Sequence, residues 1–243
     1  MKFLTVIPAR MQSTRLPGKP LLNLMGKSML ERTYNRCLLA VPSDQLIIAT
    51  DHLEIENHCK LMGMNVIMTS TECMTGTDRV AEVATKIDAD IYINVQGDEP
   101  LMNPADIRAT IRAAQKYPGE IINGYASIDE ADYINSHTPK VVFSKDNSLL
   151  YMSRSSIPGN KKQSFTKAWR QVCVYAFPKV TLKTFAAQTE KTPLESIEDI
   201  ELLRFIELGI PVRMIPLSTT SIPVDTPEDL DKVMIELKKL ENV

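Results

Sequence analysis

Along the first half of the chain, short apolar runs alternate with stretches of helical periodicity. Leu4 to Ile7, Leu46 to Thr50, Asn65 to Thr69 and Ile91 to Val95 are β-rich runs. Such runs, apolar at consecutive positions, are the pattern of strands covered on both faces. A helix is predicted near Ser28, with Ser28 as N-cap and Glu31 at N3 completing a capping box. A second runs from about Leu53 to Met62 and closes on Gly63. A third opens at Thr75-Gly76-Thr77-Asp78-Arg79 and runs to about Ile87, with Val80, Val83, Ala84 and Ile87 on one face. A fourth starts after Asn103-Pro104, with proline at its first position. Strand and helix in alternation predict an α/β fold of parallel, right-handed βαβ units, with ligand at the carboxyl edge of the sheet.

The rhythm changes after Gly124. Gly124 to Ser127, Val141 to Ser144, Leu149 to Met152 and Gln171 to Phe177 are strand-like, with little helix between them. Asp146-Asn147 predicts a hairpin between the second and third of these. Gly159 to Lys167 is polar and reads as a mobile loop, a candidate lid. A single helix is expected from about Glu195 to Leu208, closed by Gly209, then a last strand over Val212 to Pro216. Thr226-Pro227-Glu228-Asp229 opens a terminal helix to about Leu240.

Composition narrows the function. A net charge of −2 gives no support for a nucleic-acid partner or a membrane surface. No apolar run approaches the ~20 residues that spanning needs. Met1-Lys2-Phe3-Leu4 leads straight into a strand without a small-residue cleavage site, so no signal peptide is expected. Cys37, Cys59, Cys73 and Cys173 form no C-x-x-C pair, which fits a reduced, cytoplasmic protein. His52, His58 and His137 lack the spacing of a metal site and read as surface or satisfied histidines.

The candidate chemistry sits at strand ends. Pro8 to Pro20 carries Arg10, Arg15 and Lys19, the hydroxyls Ser13 and Thr14, and no acid. A cationic loop between a strand and a helix can hold polyphosphate through charge and backbone donors. It is neither a Walker A loop nor a dinucleotide fingerprint, and a solvated basic loop is the plain alternative. Asp98 follows a buried strand, and Gly97 lets the backbone approach a ligand. Asp225 stands between an apolar stretch and a helix. Two carboxylates beside a triphosphate suit Mg²⁺. The competing roles are a helix cap for Asp225 and a turn brace for Asp98.

Pro8-Ala9-Arg10-x-x-Ser13-Thr14-Arg15-Leu16-Pro17-Gly18-Lys19-Pro20-Leu21 resembles the signature of the cytidylyltransferases that activate acidic sugars, the CMP-Kdo synthetase group above all. Further blocks resemble that family in the same order: Ala49-Thr50-Asp51; Gly76-Thr77-Asp78-Arg79; Asn94-Val95-Gln96-Gly97-Asp98-Glu99-Pro100; Ser153-Arg154-x-x-Ile157-Pro158; Pro193-Leu194-Glu195; and Val224-Asp225-Thr226-Pro227-Glu228-Asp229-Leu230. The resemblance implies a nucleotide-diphospho-sugar transferase fold, Rossmann-like, with a mixed central sheet, in one domain. Within it, residues 1–123 would bind nucleotide, 124–192 would form a β-rich dimerisation and sugar-side part, and 193–243 would return to the main sheet.

It also implies CTP and an acidic sugar as substrates, Mg²⁺ as cofactor, a homodimer, and a place in lipopolysaccharide or capsule biosynthesis. Arg10, Arg15 and Lys19 would hold the triphosphate, with Pro8, Ala9, Thr50, Thr75, Gly76 and Arg79 also near CTP. Asp98 and Asp225 would hold the metal. Gln96, Arg154, Gln171, Tyr175, Glu195, Glu201 and Leu202 would lie around the sugar. In this reading the sugar hydroxyl attacks the α-phosphorus in line and pyrophosphate leaves, so catalysis is positioning and charge neutralisation.

This sequence departs from the family at three of those positions. Thr75 replaces a serine, Gln171 a histidine and Leu202 a glutamine. The last two imply an acceptor other than Kdo, since Leu202 cannot hydrogen-bond a sugar hydroxyl; the plain alternative is that Leu202 packs in its helix and a neighbour or water takes over. Arg154, able to grip a carboxylate bidentately, keeps the acceptor an acid. The alternatives are a cytidylyltransferase for a non-sugar acid such as a phosphonate, and a non-catalytic nucleotide-binding regulator.

Overall fold

The computed structural model describes residues 1–12, 16–162, 164–218 and 220–241. Its first half contains β1 (Phe3–Ala9), β2 (Asn23–Leu24), β3 (Lys27–Ser28), α1 (Met29–Leu38), β4 (Leu46–Thr50), α2 (Leu53–Leu61), β5 (Val66–Met68), α3 (Gly76–Lys86), β6 (Ile91–Val95) and α4 (Pro104–Lys116). The N-caps form where the sequence expects them, though at Ser28 only one half of the expected capping box is made. Ser28 accepts from the Glu31 amide at 3.0 Å, Thr75 from the Asp78 amide at 3.2 Å, and Asn103 from the Ala105 amide at 2.9 Å.

Strands β4 and β6 flank β1, all three parallel, with Ile7 opposite Ile48 and Thr5 opposite Ile93. Strand β5 extends the sheet beyond β4. The chain thus winds outward from β1 through β4 to β5, then returns to the other side of β1 as β6. The reversal puts a crevice at the carboxyl ends of β1 and β6. Gly97 is required there, because a Cβ on it would stand 2.9 Å from the Pro8 carbonyl oxygen.

The second half adds β7 (Ile121–Ile128), α5 (Glu130–Ile134), β8 (Lys140–Phe143), β9 (Leu149–Ser153), β10 (Ala168–Pro178), α6 (Lys179–Ala186), α7 (Pro193–Glu198), α8 (Leu202–Glu207), β11 (Val212–Pro216) and α9 (Pro227–Glu241). Strand β10 lies antiparallel between β6 and β7, and β11 pairs parallel with β7. The sheet is therefore mixed, with order β11-β7-β10-β6-β1-β4-β5. Strand β8 joins it through β10, and β9 pairs with β8 across a hairpin in which Asn147 has φ 65°. Strand β7 crosses the boundary expected at residue 123, so the two halves share one sheet.

The long helix expected over Glu195 to Leu208 is two short ones. Asp199, at φ 51° and ψ 50°, breaks it. Arg154 binds the carbonyls of Glu198 and Asp199 that a continuous helix would have used, at 2.5 and 3.0 Å. Helices α5 and α6 also appear where only strands and loops were expected. One apolar cluster joins Val80, Val83, Phe177, Phe185 and Phe205 on one face of the sheet. Another joins Ile7, Leu30, Ile48, Ile93 and Ile107. A smaller cluster of Leu24, Met29, Leu101, Val224, Val233 and Leu237 seats α9 against the start of α1.

Candidate active site

A cavity of about 710 Å³ opens at the carboxyl ends of the parallel strands. Its floor is Pro8, Ala9 and Arg10 from the end of β1, with Gln96, Gly97 and Asp98 from the end of β6. Thr75, Gly76 and Arg79 come from the start of α3, and Lys19 and Asp225 from the loops before α1 and α9. Arg154, Lys191, Asp199 and Glu201 close the far side.

Lys19 is the electrostatic centre. Its Nζ donates to Asp98 Oδ2 at 2.6 Å and to Asp225 Oδ1 at 3.1 Å, joining side chains 206 residues apart in sequence. Burial opposes the ammonium charge, but the two carboxylates outweigh it and raise the lysine pKa above its ordinary value. Asp225 is not the cap of α9. Thr226 Oγ1 accepts from the Asp229 amide at 3.3 Å, and Asp229 accepts in return from the Thr226 amide at 3.0 Å. That reciprocal box leaves the Asp225 side chain directed at Lys19. Arg15, with Ser13 and Thr14, lies outside the described residues.

Arg79 donates to Asp51 at 2.8 Å and to Thr69, and is 3% exposed. Beneath it, Thr50 is fully buried and its carbonyl accepts from Thr69 Oγ1 at 3.0 Å, so Thr50 supports the cavity wall without lining it. Glu201 crosses from the second half to the start of α3. Its carboxylate accepts from the amides of Gly76 at 3.0 Å and Thr77 at 2.8 Å, and from the Thr77 hydroxyl. Burial pushes its pKa up, while those bonds at a helix N-terminus favour the charge.

The other residues expected around a sugar divide sharply. Gln96, Arg154 and Glu201 line the cavity, whereas Gln171, Tyr175, Glu195 and Leu202 do not. Glu195 is fully buried, both its oxygens bound by Arg204 at 2.6 and 2.7 Å. Tyr175 stacks on Phe177 with ring centroids 5.6 Å apart. Gln171 is 7% exposed and donates to Asn123 at 3.4 Å. Leu202 is 1% exposed in the apolar core. Leu202 therefore deprives no sugar hydroxyl of a partner in this arrangement, and the argument from it against Kdo loses its basis.

Lys191 and Asp199 went unnoticed in the sequence. Lys191 donates to Asp199 at 2.8 Å, which holds the Asp199 pKa down, and both line the cavity. The signal was the non-glycine helix break, invisible to periodicity. Cys73 also lines the wall, where burial and its hydrogen bond to Glu82 push its thiol up to about 12.

A cytidylyltransferase family model matches residues 4–213. The chain belongs to the cytidylyltransferase family. This cytidylyltransferase is 38% identical to the 3-deoxy-manno-octulosonate cytidylyltransferase of Geobacter metallireducens, over 99% of this chain and 100% of that one. It is 35% identical to the 8-amino-3,8-dideoxy-manno-octulosonate cytidylyltransferase of Shewanella frigidimarina, over 98% and 99%. A solved CMP:2-keto-3-deoxy-manno-octonic acid synthetase complexed with CTP superimposes with a TM-score of 0.91 at 34% identity, covering 98% of this chain and 99% of the other. The mixed central sheet is thus that of the nucleotide-sugar cytidylyltransferases. No described helix of this cytidylyltransferase is long and apolar enough to cross a membrane.

Proposed function

We propose that this cytidylyltransferase transfers CMP from CTP to the anomeric hydroxyl of a 3-deoxy-octulosonic acid, Kdo or its 8-amino analogue, and releases pyrophosphate. The observation that carries this reading is the meeting of Asp98 and Asp225 on one cation, Lys19, beside a cationic strand-end loop.

The residues present fit Mg²⁺. A cation already stands where both carboxylates reach it. Among the described residues no group of three or more His, Cys, Asp or Glu gathers to hold a metal. Asp98 and Asp225 would hold the ion, leaving its other ligand positions to phosphate and water, as suits Mg²⁺. When bound, the metal would withdraw charge from the α-phosphate and acidify the attacking hydroxyl. Arg10 and Lys19 neutralise the triphosphate and the departing pyrophosphate. Gly97 keeps the end of β6 close against Pro8 in the cavity floor. Arg154, anchored on the Glu198 and Asp199 carbonyls, presents a rigid guanidinium on the side where the acceptor's carboxylate would lie.

The protein acts as a cytoplasmic homodimer in this reading. All four cysteines are free thiols, which supports a reducing compartment.

The test is pyrophosphate release with CTP, Mg²⁺ and a panel of Kdo, its 8-amino analogue and phosphonates. Release with an octulosonic acid, at an efficiency of about 10⁴ M⁻¹s⁻¹ or more, is expected. Release with phosphonates alone, or CTP binding without release from any acid, would overturn the reading.

A further inference from the structure

Beside the cavity lies a buried polar cluster that the reaction itself does not use. Glu99 follows Asp98 directly and is fully buried. Its Oε2 accepts from the Ser221 hydroxyl, and its Oε1 has no partner. Ser221 is 2% exposed, and its carbonyl accepts from Arg170 Nη2 at 2.7 Å. Arg170 itself stands on β10 and is 9% exposed. Three residues beyond Ser221, the Val224 amide donates to the Asp98 carbonyl at 3.1 Å. The next residue is Asp225.

The arrangement ties three distant stretches together: the end of β6, the start of β10, and the segment that delivers Asp225. A glutamate in a fully buried position carries a large desolvation cost, worse with one oxygen unpaired. An apolar residue there would pack more cheaply, and Val224 already anchors the segment in the apolar cluster under α9. What an apolar residue cannot do is fix the height of Ser221 along the strand ends by a directional bond. Held at its hydroxyl by Glu99, at its carbonyl by Arg170, and at Val224 by the Asp98 backbone, the segment has one register against Asp98.

We propose that Glu99, Ser221 and Arg170 are positioning residues that set the separation of the Asp98 and Asp225 carboxylates, and so the affinity of the site for its divalent cation. The inference rests on the reading that these two aspartates hold the metal. Groups that orient metal ligands typically alter metal affinity by about 10–100-fold, and this clasp orients Asp225 through the backbone that carries it. The clasp differs from a simple packing contact because its loss changes the metal before it changes the nucleotide.

The test uses the full chain with CTP and Mn²⁺ as probe. Mn²⁺ binding is followed by electron paramagnetic resonance, and CTP binding is measured separately in EDTA. For Ser221→Ala, Mn²⁺ binding in the presence of CTP is expected to weaken roughly 10–100-fold, with CTP binding in EDTA unchanged. Ser221→Thr, which keeps the hydroxyl, should restore most of the loss. If Ser221→Ala does not fold, Arg170→Gln removes the other arm of the clasp and carries the same expectation. Unchanged Mn²⁺ affinity in a folded variant, whatever its melting temperature, overturns the inference, as does failure of Ser221→Thr to rescue. A wild-type protein that takes up no Mn²⁺ with CTP, or an Asp225→Asn variant that binds it normally, overturns instead the reading of the aspartates as metal ligands.

Discussion

The two walls of the cavity are built differently. On the wall beneath β1 and β6, functional side chains stand at strand ends: Arg10 after β1, Asp98 after β6, Thr75 and Gly76 where α3 begins. A parallel strand buried on both faces has one exposed end for chemistry, so a polar residue just after the run falls at the cavity. On the opposite wall, built from the end of β9 and the ends of α7 and α8, a candidate's position in sequence does not settle which way it faces. Arg154 and Glu201 reach the cavity, while Glu195 and Leu202, neighbours of Glu201 in sequence, turn into the core. Wall residues on the first side are dictated by sheet topology, and those on the second by a single helix break at Asp199 and the ion cluster behind it.

The sharpest way to break that contrast is at Arg204. It is fully buried, with Glu195 at 2.6 and 2.7 Å, Asp78 at 2.8 Å, and its guanidinium 3.7 Å above the Phe185 ring. It joins α7 and α8 to the start of α3. Arg204→Met leaves Glu195 and Asp78 without their counter-charge, and removing one member of a buried ionic cluster costs about 3–5 kcal/mol. In thermal unfolding, a chain of this size should lose roughly 2–4 °C per kcal/mol. A melting temperature near wild type would mean that Glu195 is not structural and is available to substrate.

Asp225→Asn tests the first wall. Because Thr226 and Asp229 cap α9 themselves, the variant should fold normally. Its turnover should fall by about 10²–10³-fold, some 2.7–4 kcal/mol, the scale of losing a group that stabilises developing charge. Initial rates of pyrophosphate release decide it, and near-normal rates would remove Asp225 from the reaction.

Lys19→Ala is the next smaller effect. Loss of a charge-assisted phosphate contact should weaken CTP binding by about 1.5–3 kcal/mol, read by calorimetry. Unchanged CTP affinity would mean that the ammonium serves only to bridge and neutralise Asp98 and Asp225 in the free protein.

Legibility in the sequence follows the same division. The strands Leu46–Thr50, Ile91–Val95 and Val212–Pro216 coincide with their apolar runs, and the caps at Ser28, Thr75 and Asn103 form as their residue types predict. Local rules sufficed because each of these features depends on residues a few positions apart. Lys19, Asp98 and Asp225 stood out singly at strand and loop ends, but their meeting was legible only as a family resemblance, since no local rule brings residue 225 to residue 19. The break at Asp199 was not legible at all. Arg154, just past the end of β9, satisfies the Glu198 and Asp199 carbonyls that the break leaves open, a contact that no local rule predicts. The misplacement of Glu195 and Leu202 on the sugar side follows from that break, since it decides which faces of α7 and α8 turn toward the cavity.

The smallest effect concerns Leu202. The sequence alone suggests that this leucine, standing where relatives carry a polar residue, tunes the acceptor. The structure puts it 1% exposed among Ile200, Leu203 and Phe205, off the cavity. Leu202→Gln would bury an amide with no partner, at a cost of about 1–3 kcal/mol in stability. Its effect on the reaction should be confined to that loss. Measured below the melting transition, the ratio of kcat/KM for Kdo to that for the 8-amino analogue should match wild type. Chemical denaturation gives the first quantity and initial rates with the two acids give the second. A changed ratio with unchanged stability would mean that α8 turns Leu202 toward the acceptor when substrate binds, and that the second wall is specified by residue type after all.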